Sequence, residues 1–320
     1  MKTLIHIARI LVGVLFIFSG FVKLVDPIGS QYKFQEYFSE GVLNMEFLIP
    51  YALPFAILLI LAETLLGVML LIGYKPKITL SSLFVITLIF LFLTWYSAYY
   101  NKVTDCGCFG DAIKLSPWET FYKNVILLLF IIFLVIKRSF LKPLFKRKIP
   151  KLLTFVSLAA FLYVAQHVLI HLPLIDFRPY AIGKNISKGM EYKDDGEIPP
   201  VHDFMLEDAQ NDLAPEILAK ENVMLIILYN LEKSDESGFP AIKKVSEKAL
   251  KNGYTVYGVS ASFTNDLLAA KEKHQLPFEF FFCDETTLKT MIRANPGIII
   301  LDKGTVIDKK NFIDADKIKL

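Results

Sequence analysis

The chain has 320 residues, of which 54% are hydrophobic and 21% charged, with a mean hydropathy of +0.45 and a net charge of +3. That is more apolar than a soluble chain usually is, so membrane spans come first, and so small a net charge gives no reason to expect a nucleic-acid partner. Three cysteines, Cys106, Cys108 and Cys283, are too few for a disulfide scaffold.

A transmembrane helix needs about 20 mostly apolar residues. Segments 4–25, 51–73, 78–100, 118–137 and 151–172 qualify, and the first reads as retained rather than cleaved because no small-x-small site follows it. Orientation follows the bias of Lys and Arg at the span ends. With the N-terminus inside, Lys2, Arg9, Lys75, Lys77 and the cluster from Lys137 to Lys151 are cytoplasmic, against Lys23, Lys33, Lys102, Lys114 and Lys123 outside. Five spans predict a bacterial inner-membrane protein whose chain beyond His171 is periplasmic. The basic linker between spans four and five is expected to contact anionic lipid.

Residues 26–50 hold Tyr32, Phe34, Tyr37 and Phe38, a pattern for either a short interfacial helix or an ordered loop with an aromatic belt. Residues 173–200 are rich in Pro and Gly and read as a linker. After them come a buried-strand run at Val223–Tyr229, a helix at Phe239–Leu250, a strand at Thr255–Ser260 and a helix at Phe263–His274. A strand at Glu279–Cys283, a helix at Glu285–Arg293 and a hairpin of Gly297–Leu301 with Val306–Lys310 complete the pattern. This order predicts an α/β domain with a mixed sheet over residues 201–320.

The order, with Asn295-Pro296-Gly297 entering the hairpin, resembles a thioredoxin-like fold of the TlpA type. The resemblance implies a cis bond at Pro296. It also places a dithiol after the first strand, where this chain has Asn230-Leu231-Glu232-Lys233-Ser234-Asp235 and no sulfur. Thioredoxin chemistry by this domain alone is therefore excluded. Cys283, ending an apolar strand, is expected to be an inert buried thiol.

The first span carries Arg9, Gly13, Phe16, Ser19-Gly20, Lys23 and Asp26-Pro27, and the second Glu63, Gly67 and Gly73. This pattern resembles the DoxX family of bacterial membrane proteins. Cys106-Gly107-Cys108-Phe109-Gly110-Asp111, after span three, resembles MauE, a related membrane protein required for maturation of a disulfide-containing enzyme. Together they imply a four-helix bundle over residues 1–140, followed by the linker and fifth span over 141–172. The thioredoxin-like tail marks a longer subgroup, and DoxX relatives imply thiol or quinone-linked redox work.

Cys106 and Cys108 can approach within disulfide reach across Gly107, and a ring so small would be strained and easily reduced. That suits thiol exchange; a static staple or part of a metal site are the other readings, and no complete metal site is expected. Arg9 and Glu63 are ionisable residues inside apolar segments, expected to pair across spans one and two rather than to serve a proton relay or quinone contact. Lys23 lies at the depth of the Cys loop, where its ammonium would favour thiolate at one cysteine; with Arg9, Glu63, His167 and His171 it forms the candidate set for a quinone or proton relay, and snorkelling to the interface is the more ordinary expectation for it. His167 and His171, spaced i and i+4, suit proton shuttling or metal binding, or ordinary interfacial packing. Asp176 and Arg178 are expected to anchor the linker to the membrane domain. The leading function is a membrane thiol–disulfide or quinone-linked oxidoreductase acting with a periplasmic thiol protein, with quinone as the cofactor. A non-enzymatic envelope scaffold is the alternative, so whether the chain is an enzyme stays open at this point. Transport is weaker because no inverted repeat is evident.

Overall fold

A computed structural model describes residues 2–103, 107–113, 115–145, 148–192, 198–202, 204–208 and 211–320. Cys106, together with Lys114, Lys146 and Arg147 of the predicted charge pattern, lies outside the described residues. The chain divides into two compact units, residues 1–169 and 170–320. It is a polytopic helical membrane protein with a separate α/β domain.

Among the described residues, five helices are long and apolar enough to span a membrane: α1 (Lys2–Val25), α3 (Ala52–Ile72, preceded by a 3₁₀ turn from Glu46), α4 (Pro76–Tyr100), α5 (Pro117–Ile136) and α6 (Ile149–Ile170). Between the first two of these lies a shorter helix, α2 (Pro27–Phe38). Local chemistry sets several boundaries. Asp26 caps α2 by accepting from the Gly29 amide, with Pro27 as its first residue. Ser116 and Glu119 form a reciprocal capping box at the start of α5. Phe34 and Phe38 of α2 pack on Phe55 of α3, so residues 27–38 are a helix seated on the bundle.

Helices α1 and α3 approach most closely, and small residues make that approach feasible. A Cβ on Gly13 would sit 2.5 Å from the Leu71 side chain, and one on Gly20 2.4 Å from that of Thr64. Gly67 in turn faces the Gly13 carbonyl and Ile17. Because lipid tails are as apolar as leucine, close van der Waals packing of this kind holds spans together. Ile5, Ala8, Val12 and Phe16 form one face of α1, packed with Leu66, Met69 and Leu70 of α3, Leu80 and Leu83 of α4, and Leu127, Ile131 and Leu134 of α5. Polar residues inside the bundle satisfy themselves locally: the Thr64, Thr87, Thr94 and Ser97 hydroxyls each donate to the carbonyl four residues earlier. Trp95, Tyr99, Tyr100, Trp118 and Tyr122 stay exposed around the ends of α4 and α5 that flank the Cys loop, an aromatic belt.

The second unit is built on a five-stranded mixed sheet, β1 (Val223–Leu228), β2 (Thr255–Ser260), β3 (Glu279–Phe282), β4 (Gly297–Asp302) and β5 (Thr305–Asn311), in the order β3-β2-β1-β4-β5. Strands β1, β2 and β3 are parallel; β4 and β5 run antiparallel as a hairpin. Central strand β1 is buried on both faces, as its unbroken apolar run requires. Val223, Leu225 and Ile227 join one core with Phe204, Leu206, Ile217 and Leu288. Met224, Ile226 and Leu228 join the other with Phe239, Ile242 and Val245. The Asn295–Pro296 bond entering β4 is cis, as expected.

Residues 173–200 are no free linker where they are described. The Gly183 amide donates to the Val306 carbonyl, Val306 returns a bond to Lys184, and the Ile186 amide donates to Gly304, so this strap covers the edge of β5. The expectation that Asp176 and Arg178 anchor the membrane domain is overturned as well. The Asp176 carboxylate accepts from Arg178 Nε (2.7 Å) and from Lys309 Nζ (2.8 Å), while Arg178 also donates to the Thr290 carbonyl. Arg178 and Lys309 are 3% and 5% exposed, so these charges are stitched into the α/β domain itself. Pro and Gly content suggested flexibility, but one buried carboxylate between two cations holds the strap.

Burial pushes the Asp176 carboxyl up, but Arg178 and Lys309 outweigh it and hold the group down to about 2. A carboxylate depressed by the fold adds stability above its unfolded pKa of about 4 and loses it as pH falls toward the folded value. Asp176→Asn should cost about 3 kcal/mol by leaving two buried cations without a counter-charge. In the full chain carrying Cys106→Ser and Cys108→Ser, Cys283 is the sole thiol and is 1% exposed, so its labelling rate reads opening of this domain. Taken relative to the unfolded chain's labelling rate at the same pH, that rate should rise with Asp176→Asn at pH 7, and in the parent as pH drops below about 4.

Candidate functional site

The antiparallel register of α1 and α3 decides which charges meet. With Gly20 against Thr64, Lys23 faces Glu63, and its Nζ lies 2.7 Å from both carboxylate oxygens. Both residues are buried, Glu63 completely and Lys23 to 6% exposure. Lys23 therefore does not snorkel; it turns inward to a partner. The expected Arg9–Glu63 pair is overturned. Arg9 donates to the carbonyls of Leu70 (2.8 Å), Leu71 (2.6 Å) and Lys142 (3.2 Å). Glu63 lies seven residues before Leu70 in α3, about 10 Å along the helix axis and beyond the guanidinium's bonded reach. The guanidinium instead supplies donors and positive charge to the last-turn carbonyls of α3 and ties that end to the loop carrying Lys142. Gly73 ends that helix with φ of 72°, and a Cβ there would meet the Lys142 carbonyl at 2.7 Å and Arg9 Nη2 at 2.8 Å.

Ser19 went unnoticed as a chemical group in the sequence. Its Oγ lies 3.0 Å from Glu63 Oε2 and 2.8 Å from the Cys108 carbonyl oxygen. With one proton, the hydroxyl donates to one of these two acceptors at a time, so the buried pair and the Cys loop share a single donor. The sequence signal was the one-turn spacing of Ser19 and Lys23, which puts both on the face of α1 that Glu63 meets.

The loop itself is tightly turned. Gly107 adopts φ of 63°, the Gly110 amide donates to the Gly107 carbonyl, and a Cβ at Gly107 would lie 3.0 Å from Lys33 Cγ. Phe109 is buried, packs 5.5 Å from the Phe18 ring, and has Lys123 Nζ 4.2 Å from its own centroid. Cys108 lines two cavities. One, of about 550 Å³, also contacts Lys23, Lys33, Tyr37, Phe90 and Thr94. The other, of about 340 Å³, contacts Ser19, Phe90, Lys123 and Asn124. Three ammonium groups therefore share cavities with Cys108. Its pairing with Cys106 concerns a residue outside the described set.

The remaining expected site residues fall elsewhere. His167 stacks on Tyr163 with ring centroids 6.2 Å apart. His171 belongs to the α/β unit, where Nδ1 lies 2.6 Å from Asp314 Oδ2. Asp314 also accepts from Lys317 at 2.7 Å; burial pushes its carboxyl up, but these bonds outweigh that and lower it. Among the described residues no group of three or more His, Cys, Asp or Glu could hold a metal. Cys283 is buried, and burial pushes its thiol up to about 12, which removes it from chemistry near neutral pH.

Breaking one partner of a buried pair is costly because it strands the other charge, about 3–5 kcal/mol, whereas neutralising both is far milder. Lys23→Met and Glu63→Gln should each lower the melting temperature of the full chain in detergent, and the double variant should recover most of the loss; additive losses would contradict the pairing. Ser19→Ala removes the link to the loop. It should raise the rate at which a thiol reagent labels Cys108 in a Cys106→Ser background while the melting temperature changes little.

The membrane helices α1 to α5 carry the whole of this arrangement. Among curated proteins none matches the chain. No solved structure matches it. Residues 1–137 match the model of the family described as "Methylamine utilisation protein MauE". The Lys23–Glu63 pair, Ser19 and the Cys loop all lie inside that match, so the likeness to this family covers the N-terminal helical part of the chain and the candidate site.

Proposed function

We propose that this protein is a membrane thiol–disulfide oxidoreductase whose working pair is Cys106 and Cys108, acting with a thiol protein on the periplasmic face of a bacterial inner membrane. The observation that carries the reading is the setting of Cys108. It is partly accessible and lines two cavities, in a loop whose Cys108 carbonyl lies within bonding distance of Ser19; of the three lysines sharing those cavities, Lys23 and Lys33 are paired with Glu63 and Glu36, and the Lys123 ammonium sits over Phe109. Exchange-active thiols are found in cationic, partly accessible surroundings of this kind. A loop meant only as a staple has no need of a connection to an intramembrane ion pair.

In this reading a reduced partner attacks the Cys106–Cys108 disulfide, a mixed disulfide forms, and the second partner thiol resolves it, leaving the pair as two thiols. Reoxidation of that dithiol releases two electrons and two protons, which a quinone can take up together to become a quinol. Glu63 and Lys23 keep the region below the loop neutral overall, and Ser19 holds the Cys108 backbone in register. The DoxX resemblance and the basic residues at the opposite end of the bundle support this placement. In the α/β domain, strand order, the cis Asn295–Pro296 bond and the hairpin after it support a thioredoxin-like identity.

One observation favours a second reading, an envelope scaffold in which the tail is a binding module. The loop after β1 is closed by side chains rather than sulfur: Asn295 Nδ2 donates to the Asn230 carbonyl (2.7 Å), and Ser234 Oγ to Asn295 Oδ1 (3.1 Å). The tail thus offers docking but no redox group of its own.

Acid quench and thiol mass-tagging in intact cells separate the two. With respiration running and then blocked, the Cys106/Cys108 pair should shift from disulfide toward dithiol, and the shift should vanish in Cys106→Ser. A pair locked as disulfide under both conditions would establish the scaffold reading.

A further inference from the structure

Along the β5 edge of the α/β unit, six large apolar side chains face outward instead of joining a core. Leu174 (56% exposed), Ile175 (44%), Phe177 (40%) and Ile182 (57%) belong to the strap, Ile307 (45%) to β5 and Ile313 (50%) to the 3₁₀ turn that follows it. The bonds that fix the strap put these residues on one flank. His171 meets Asp314 beside Ile313, Asp176 and the Tyr180 carbonyl meet Lys309, and the Gly183 amide meets Val306 beside Ile307. The exposed strap residues therefore alternate with anchor points along β5, from Asn311 to Val306.

An apolar flank of this kind on a folded domain marks an interaction surface. The course of the chain says with what. Helix α6 rises about 33 Å over its 22 residues, which matches a hydrocarbon core of about 30 Å and puts Ile170 at the water interface of the bilayer. Ile170 is also the first residue of the α/β unit, and its carbonyl accepts from Asn311 Nδ2 (3.0 Å). One end of β5 is thus held at the membrane surface. Leu174 is four residues further on, at most about 14 Å of chain from Ile170.

Charge fits the same occupant. Exposed Lys184 and Lys188 close one end of the row, and exposed Lys317 and Lys319 the other. Of the acids on this flank, Asp176, Asp308 and Asp314 are each paired with a cation, and Asp316 is exposed. Apolar side chains flanked by lysines suit the headgroup boundary, where ammonium groups meet lipid phosphates.

We propose that the α/β domain rests on the surface of its own membrane through this flank, with the six apolar side chains seated at the boundary between headgroups and acyl chains. The strap then has two faces, one that holds β5 and one that holds lipid. This docking is separate from the redox reading and is the same on either side of the membrane.

Spin labelling of the full chain in nanodiscs of mixed zwitterionic and anionic lipid tests it. In a Cys106→Ser/Cys108→Ser background, with Cys283 left in place at 1% exposure, a nitroxide is attached at Leu174→Cys, Ile182→Cys or Ile307→Cys. The control is Glu272→Cys, exposed on the helix Thr264–His274 that leads to the opposite edge strand, β3. Oxygen concentrates in the bilayer and a water-soluble nickel chelate stays out, so their relative effect on label relaxation reads depth. All three flank labels should relax more with oxygen than with nickel, and the Glu272 label the reverse. Ile182 and Ile307 each decide alone if the other variant fails to fold. Nickel access at these two sites equal to that at Glu272 would overturn the proposal even with Leu174 in lipid, because the chain would then be tethered and not docked. Shielding from both reagents would overturn it too, since a protein surface, a second copy or the helical unit, would then cover the flank.

Discussion

A lysine and a glutamate placed where water is scarce must find each other, and the arrangement of the helical unit follows from that need. Lys23 and Glu63 are each expensive to bury alone. Meeting requires α1 and α3 to run antiparallel in one register at close range, and Gly13, Gly20 and Gly67 are small enough to allow it. The same register carries Arg9 to the last carbonyls of α3 and Ser19 to the Cys loop. A change of one residue in that register would turn these groups toward other faces of their helices.

The two ends of the bundle illustrate different uses of intramembrane charge. At the α3 terminus, Arg9 serves as a multi-donor cap, giving hydrogen bonds to the Leu70 and Leu71 carbonyls of the last turn and a third to the Lys142 carbonyl of the loop after α5. Near the Cys loop, Lys23 is a compact point charge with a single acidic partner and a cavity beside it. Guanidinium geometry suits the first task and an ammonium the second.

Much of the architecture was legible in the sequence because it depends on local patterns. Five long apolar runs became five long helices, and the alternating runs from Val223 onward became the strands of a mixed sheet. Partner choice was less legible, because it depends on register. Arg9 and Glu63 were the conspicuous charges, but the glycine contacts set the register and gave Glu63 to Lys23. Ser19 was invisible for a related reason: a serine in a span normally bonds its own helix, and only the fold brings the Glu63 carboxylate and the Cys108 carbonyl within its reach. In the tail, Pro and Gly between residues 173 and 200 suggested slack chain, whereas a buried Asp176 and a backbone ladder along β5 fix it.

That strap has a consequence for where the α/β domain begins. The Ile170 carbonyl accepts from Asn311, His171 bonds Asp314, and Asp176 neutralises Lys309. The module's own structure therefore starts at the residue that ends α6, about thirty positions before residue 201, where the sequence pattern places the start of the domain. A fragment cut at residue 201 would present a raw sheet edge and an orphaned lysine in its interior, and evolution could not transplant this domain onto another anchor without carrying the strap along. Modularity here follows the salt bridges, with the apparent hinge composition marking the inside of a fold rather than the space between two.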